Sequence, residues 1–336
     1  MSEKRPTIVT VAEAAGVAAS TISRALKGDK RISPETRARI ARVAQELGYT
    51  PYASARALSS GQSGLVGVVL GPGTNPFYAE LLYEAVRQIG ERGMRLLIIH
   101  AGPGPVENSM ADALLQYQVD GCLISSVDLP SHVGAVCTAN GVPVVMVNRV
   151  AQADTCAVVC DNAFGSVQLG ELLLRSGRRR TALVRTSAAS STARERDAGF
   201  TTFMQSAGYP PSLRLDGRST YEGGFEAGRH IAALPAAERP DSVYAVSDIM
   251  AWGVLDALRL ASVCIGQDIA VVGFDGLPQS ARPIYDLTTV EQPVVAMIGR
   301  GLDLLQARMR DKGLPDETIS LRGRLIERGS SGPKGR

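Results

Sequence analysis

Over the first fifty residues the apolar positions recur at spacings of three and four, the period of a helix. Val11, Ala12 and Ala15 make one short stripe, and Gly16 closes it. Thr10-Val11-Ala12-Glu13 fits a capping box, with Thr10 at N-cap and Glu13 at N3. A second helix starts near Ala18, carries Thr21, Ile22, Ser23, Arg24, Ala25 and Leu26, and breaks at Gly28-Asp29. Ser33-Pro34-Glu35-Thr36 is a third start signal, with Ser at N-cap and Pro at N1. Ile40, Val43, Ala44 and Leu47 form its buried stripe, and Gly48 stops it. Helices this short are not stable alone and must pack on one another. Pro51 to Leu58 is helix-prone but shorter still, so it reads either as a helix that needs a partner copy or DNA, or as a flexible linker.

After Gly64 the pattern changes to short, nearly continuous apolar runs separated by amphipathic stretches. Runs at 65–70, 95–100, 121–125, 142–147, 181–185, 242–245 and 269–273 read as strands. Helical stretches fall near 79–92, 109–117, 165–175, 194–207, 221–234 and 249–260. Such alternation means βαβ units, with parallel sheets covered on both faces. Two sets in this length predict an α/β body of two Rossmann-like lobes behind a small all-α domain.

Composition adds exclusions. With 45% hydrophobic and 21% charged residues among 336, the chain has ample core material. No run approaches ~18 apolar residues, so no segment should span a bilayer, and no apolar run of signal-peptide type follows the N-terminus. Five cysteines without a CxxC pair and three dispersed histidines argue against a disulfide framework or a metal site, and point to the reducing cytosol. The net charge of +3 is uneven: residues 1–60 hold ten Lys or Arg against five Asp or Glu, leaving −2 for the rest. A basic module suits a polyanion, although a solvated helical surface has the same look. The turn at Gly16 resembles that of a helix-turn-helix. Ala19, Ser20, Thr21, Ser23 and Arg24 then lie on the exposed side of a helix that could enter the major groove. A three-helix protein-interaction module is the alternative.

Ligands of parallel sheets bind at the carboxyl ends of the strands. The loops concerned are 71–77, 100–105, 148–149, 185–196, 247–248 and 274–275. The first strand is followed by Gly71-Pro72-Gly73-Thr74-Asn75, not GxGxxG, and no GxxxxGK[ST] occurs. No Ser-His-Asp arrangement is suggested. Asp248 and Asp275 could be paired acid–base carboxylates, but lone strand-end carboxylates more often bind sugar hydroxyls or cap helices.

Residues 10–26, TVAEAAGVAASTISRAL, together with Ile32–Arg37, Leu47–Pro51 and the ASARAL segment at 53–58, resemble the LacI/GalR family of bacterial transcriptional regulators. So do Asn75–Tyr78, Val119–Gly121, Gly141–Val145, Asp161-Asn162, Arg196 with Gly199-Phe200, Ser247-Asp248, Val272–Asp275 and Thr288–Pro293. The resemblance implies a helix-turn-helix domain at 7–50, a hinge helix and linker at 51–63, a two-lobed effector-binding and dimerisation domain at 64–326, and a disordered tail at 327–336. It implies a cytoplasmic, non-enzymatic homodimer or dimer of dimers with no cofactor, metal or membrane attachment. Its partners would be a nearly palindromic operator and a small molecule, a sugar, sugar acid or sugar phosphate. By the same likeness Ala19 and Ser20 read bases. Thr10, Thr21, Ser23, Arg24, Tyr52 and Arg56 make nearby DNA contacts, and Leu58 wedges into the minor groove. Phe77, Asn148, Phe164, Arg196, Tyr221, Asp248 and Asp275 would line the effector cleft. Ala18 stands where a Ser or Thr cap is usual, and Asn148-Arg149 where Asp-Arg is common.

Overall fold

The computed structural model describes residues 6–26, 28–49, 62–70, 75–100, 108–125, 132–149, 155–186 and 190–332. They divide into two compact units, with the boundary between Ser63 and Gly64. Tyr52, Arg56 and Leu58 lie outside the described residues.

The first unit holds α1 (Ile8–Ala15), α2 (Ala19–Leu26) and α3 (Pro34–Glu46). The capping box of α1 sits one turn earlier than the sequence suggested: Thr7 is the N-cap, its hydroxyl accepts from the Thr10 backbone N–H, and Thr10 at N3 reaches back to Thr7. Thr10 can close the box because its hydroxyl, like a Glu carboxylate, accepts from the N-cap amide. Gly16 ends α1 in the left-handed region at φ 64°. Ala18 starts α2 with its carbonyl, which accepts from Thr21 and Ile22. Ser33 caps α3 as expected. Val11, Ala12, Ala15, Ile22, Ala25, Ile40 and Ala44 are buried together. Leu47, expected on that stripe, is 37% exposed, because α3 ends at Glu46 and turns through Gly48.

The second unit contains two six-stranded sheets. The first runs β2 (Arg95–His100), β1 (Leu65–Leu70), β3 (Gly121–Ser125), β4 (Val144–Val147), β5 (Cys156–Cys160) and β11 (Thr318–Leu321), all parallel. Its helices are α4 (Phe77–Glu91), α5 (Asn108–Gln116), α6 (His132–Ala139) and, from much later in the chain, α11 (Val294–Arg310). Val66, Val68 and Leu70 pack with Leu81, Ala85 and Ile89 of α4, while Val69 and Ile124 pack with Leu114 and Cys137 on the opposite face. Both faces are thus covered, and each fully buried Leu, Ile or Phe contributes roughly 1.5–3 kcal/mol.

The second sheet runs β7 (Leu213–Asp216), β6 (Thr181–Arg185), β8 (Ser242–Ala245), β9 (Ala270–Asp275) and β10 (Thr288–Glu291) in parallel, with β12 (Arg324–Ile326) antiparallel at the edge. α7 (Asn162–Arg175), α8 (Ser191–Ser206), α9 (Tyr221–Ala233) and α10 (Asp248–Leu260) accompany it. α9 and α10 approach closely: a Cβ at Gly253 would lie 2.2 Å from the Tyr221 carbonyl. The backbone passes between the lobes three times, at 161, 292–293 and 322–323. The two lobes were expected; strands β5, β7, β10, β11 and β12 and helices α6 and α11 were not. The segment from Glu327, expected as a disordered tail, is ordered through Gly332. Ser330 and Ser331 are buried: Ser330 donates to the Val271 carbonyl and accepts from the Thr288 amide, and Ser331 bonds the Thr288 hydroxyl. Its small polar residues tie off the backbone of β9 and β10 instead of facing water. No described helix is long and apolar enough to cross a membrane.

Candidate functional site

Both sheets have the strand order in which β1 and β3, or β6 and β8, flank the point where the winding reverses, and ligands of such sheets bind there, beyond the carboxyl ends. The side chains at those ends fall into two groups.

The first group is a charged knot in the second lobe. Ser190 caps α8, and in the second turn of that helix Arg196 is buried at the carboxyl ends of β8 and β9. Its Nε donates to Asn162 Oδ1 at 2.9 Å, and its Nη1 donates to the Val246 carbonyl at 2.8 Å and to Asp275 Oδ1 at 3.0 Å. The guanidinium lies 3.8 Å from the Phe274 ring centroid. Asp275 also accepts from Gln292 Nε2 at 2.8 Å and, across the lobes, from Asn75 Nδ2 at 3.0 Å. Asn75 in turn accepts, through Oδ1, from the Phe77 amide at the start of α4. Asp275 is held at φ 136°, a strained conformation for a side-chain-bearing residue. Gly276 follows at φ 71°, where a Cβ would come 2.3 Å from Glu291 Cα. The close pass of β10 therefore requires glycine there and fixes the direction of Asp275.

Asp248 begins α10 and is fully buried beneath this knot. Its Oδ2 accepts from the Leu277 amide at 2.9 Å and Ser280 Oγ at 2.8 Å, and its Oδ1 accepts from Thr289 Oγ1 at 2.5 Å. Burial, helped by the nearby charge of Asp275, pushes its carboxyl up to about 6 despite those donors. All three donors belong to its own lobe, so Asp248 fastens the loop between β9 and β10.

The second group is polar and incompletely satisfied. Asn148 follows β4 at φ 58°, is 3% exposed, and its Oδ1 has no partner. Ser125 Oγ at the end of β3, Ser247 Oγ after β8 and Gln292 Oε1 after β10 are also buried without partners. Arg149, 5% exposed, donates to Thr192 Oγ1 at 2.9 Å and to the Tyr78 hydroxyl at 2.5 Å, again joining the lobes.

Of the expected effector residues, Arg196, Asp275 and Asn148 come to these strand ends, Arg196 and Asp275 bonded to each other and Asn148 with its Oδ1 unpartnered. Phe77 is 2% exposed, edge-on to Tyr78 in the first lobe's core. Phe164 is half-buried with Arg322 over its ring at 4.4 Å. Tyr221 lies apart, its hydroxyl donating to Asp256 on α10 at 2.8 Å. Asn75, Asn162 and Gln292 stand in family-like motifs of the sequence, yet their part in this network shows only in the structure. Their signal was a side-chain amide beside a strand-end charge. In the first unit, Ser20 and Arg24 are exposed, Thr21 and Ser23 half-exposed, and Ala19 packs partly on the core. Thr10 is exposed, with its hydroxyl bonded to Thr7.

Residues 7–52 match the family model of bacterial regulatory proteins of the lacI family, and residues 171–331 match the periplasmic binding protein-like domain. The ribose operon repressor of Escherichia coli K12 is 31% identical over 330 residues, covering 97% of this chain and 99% of its own. The HTH-type transcriptional regulator CelR of Thermobifida fusca is 30% identical over 88% of this chain and 89% of its own. The fold matches the Lac repressor dimer bound to operator and anti-inducer with a TM-score of 0.89 at 24% identity, over 98% of this chain and 100% of that one. A DNA-binding module ahead of a two-lobed ligand-binding body defines a transcriptional regulator. The chain belongs to the LacI family.

Proposed function

We propose that this protein is a cytoplasmic homodimeric repressor, binding a near-two-fold operator and releasing or engaging it as a polyhydroxylated small molecule occupies the space between the lobes. A dimer supplies two copies of α2 for the two half-sites of such an operator. Ser20 and Ala19 read base edges, while Arg24, Thr21, Ser23 and Thr10 hold the backbone. Tyr52 and Arg56 contact DNA as well, and Leu58 wedges into the minor groove. The observation that carries the effector reading is the set of buried polar atoms without partners at strand ends of both lobes, Ser125 Oγ, Asn148 Oδ1, Ser247 Oγ and Gln292 Oε1, around the Arg196–Asp275 pair. Buried polar atoms are normally bonded. Hydroxyl groups, which both donate and accept, suit this mixture of amide, hydroxyl, carboxylate and guanidinium. The names of the relatives, a ribose operon repressor and a regulator crystallised with cellobiose, agree with a sugar-like effector.

The test has two arms. Selection from random duplexes by the purified protein should enrich a near-palindrome whose binding weakens steeply with salt. A thermal-shift screen of sugars, sugar acids and sugar phosphates should find a stabilising compound that changes affinity for that duplex. Equal binding to scrambled duplex at moderate salt would sink the DNA reading. A stabilising ligand that leaves operator affinity unchanged would sink the control reading.

A further inference from the structure

The proposed effector site holds one cation that no carboxylate among the described residues pairs. Arg149 is 5% exposed. Its Nη1 donates to Thr192 Oγ1 at 2.9 Å and to Ser190 Oγ at 3.4 Å, and its Nη2 donates to the Tyr78 hydroxyl at 2.5 Å. Its Nε is buried and unpartnered. Every group it touches is a neutral hydroxyl, and among the described residues it joins no ion pair. Among the described residues the carboxylates near these strand ends are engaged elsewhere: Asp275 with Arg196, Gln292 and Asn75, Glu195 with Asn162, Asp161 with the Phe164 amide, and Asp248 with its own loop. Residue 148, beside it, is a neutral amide.

Removing a guanidinium from water without a counter-charge is costly. A lysine there could escape by losing its proton, but an arginine stays charged. The surroundings add to the imbalance. Arg149 meets the first turn of α8, whose amide dipoles present positive charge and whose first turn carries no acidic residue. Ser190 and Thr192 accept from Arg149 through their oxygens and share one hydrogen bond with each other at 3.0 Å, which leaves one hydroxyl proton free to point at an acceptor. The Nε–H of Arg149, which has no partner, a remaining Nη2–H, one hydroxyl proton and a helix N-terminus together form a receptor for a planar or tetrahedral anion.

Resting on the reading of this cleft as the effector site, the geometry points to an effector that is an anionic polyol, a sugar carboxylate or sugar phosphate whose negative group is received by Arg149 and the first turn of α8. The Arg196–Asp275 knot takes the hydroxyls.

Matched sets distinguish the charge from the sugar and the carboxylate from the phosphate. The full-length protein is titrated by calorimetry and thermal shift with D-glucose, D-gluconate and D-glucose 6-phosphate; with D-ribose, D-ribonate and D-ribose 5-phosphate; and with D-galactose, D-galacturonate and D-galactose 6-phosphate. In at least one set an anion should bind at least tenfold more tightly than its neutral parent. Arg149→Gln should erase that ratio while changing affinity for the neutral parent less than threefold, and Arg149→Lys should keep most of it. A purely structural role for Arg149 would instead lower all affinities together. A neutral sugar that binds as tightly as its anions, or an anion preference that survives Arg149→Gln, overturns the charge assignment and leaves the polyol reading standing. No binding by any member of the three sets at 10 mM counts against both.

Discussion

The two lobes wind their sheets in the same order, yet their strand ends are built differently. In the second lobe the charges are closed on each other: Arg196 meets Asp275, and Asp248 takes three donors from the loop it fastens. In the first lobe, Asn148 and Ser125 keep unpartnered atoms, and among the described residues Arg149 bonds only neutral hydroxyls. The charges of the second lobe are fixed before a ligand arrives, and the demand it leaves unmet is neutral, Ser247 Oγ and Gln292 Oε1; the first lobe adds the uncompensated charge to Asn148 Oδ1 and Ser125 Oγ. Where two sites share a fold, the unsatisfied one determines what must be brought to it.

The contrast between the lobes should be lost most visibly when the knot is cut. Asp275→Ala leaves Arg196 buried without its carboxylate and should lower unfolding free energy by about 3–5 kcal/mol, read by urea denaturation. Operator affinity in the folded fraction should persist, while the response to effector disappears. A variant as stable as the parent, or one still responding at the same effector concentration, would mean that the knot is ornamental.

The next effect concerns Asp248. Its carboxyl is raised from 3.8 to about 6, so the folded protein holds a proton that the unfolded chain has released across that window. The stability associated with that proton is fully present below about pH 3.8 and is lost as pH rises through about 6. Asp248→Asn removes the titration. The parent's stability minus the variant's should therefore fall by roughly 1–3 kcal/mol from pH 4 to pH 7. A difference that is flat with pH would contradict the burial argument.

Ser125→Ala deletes a buried hydroxyl oxygen that lacks a partner in the free protein. Stability should stay within about 0.5 kcal/mol or rise, in contrast to the loss at Asp275, while effector affinity drops severalfold. A loss of stability above 2 kcal/mol would place Ser125 in a finished network like that of the second lobe.

Smallest for the body is Arg24→Ala, which should leave effector affinity and the unfolding of residues 64–332 unchanged. It should reduce the salt slope of DNA binding by about one unit, equally on specific and random duplexes. A change of preferred sequence would instead make Arg24 a base reader.

Local chemistry explains which elements were legible. The runs LVGVVL at β1 and GCLIS at β3 carry their own signal, and the repressor-like first unit was readable from capping and periodicity. β5, CAVVC, is as fully buried as β3, yet it follows a stretch without turn punctuation to isolate it. β11 and β12 gain their identity only by pairing with β5 and β10, over a hundred and a few dozen residues earlier. The candidate site divides in the same way. Arg196 and Asp275 stood out as charges beside apolar strands. The fastening of Asp248 by Ser280 and Thr289, and the bond between Asn75 and Asp275 across 200 positions, depend on tertiary closure that no window of sequence contains. The shift of the first cap from Thr10 to Thr7 is a one-turn ambiguity between two similar hydroxyls.

The late arrival of α11 and β11 sets a timetable for synthesis. The first sheet contains residues 65–160, but the helix that covers β3, β4 and β5 and the strand that closes the β5 edge come from 294–321. While the ribosome makes the intervening second lobe, the emerging first lobe keeps an open strand edge and an uncovered apolar face that includes Leu123, Val145 and Val147. Such surfaces attract other chains and chaperones. A nascent chain arrested before about residue 320 should therefore be the species that aggregates, and slow translation through the second lobe should lengthen its exposure.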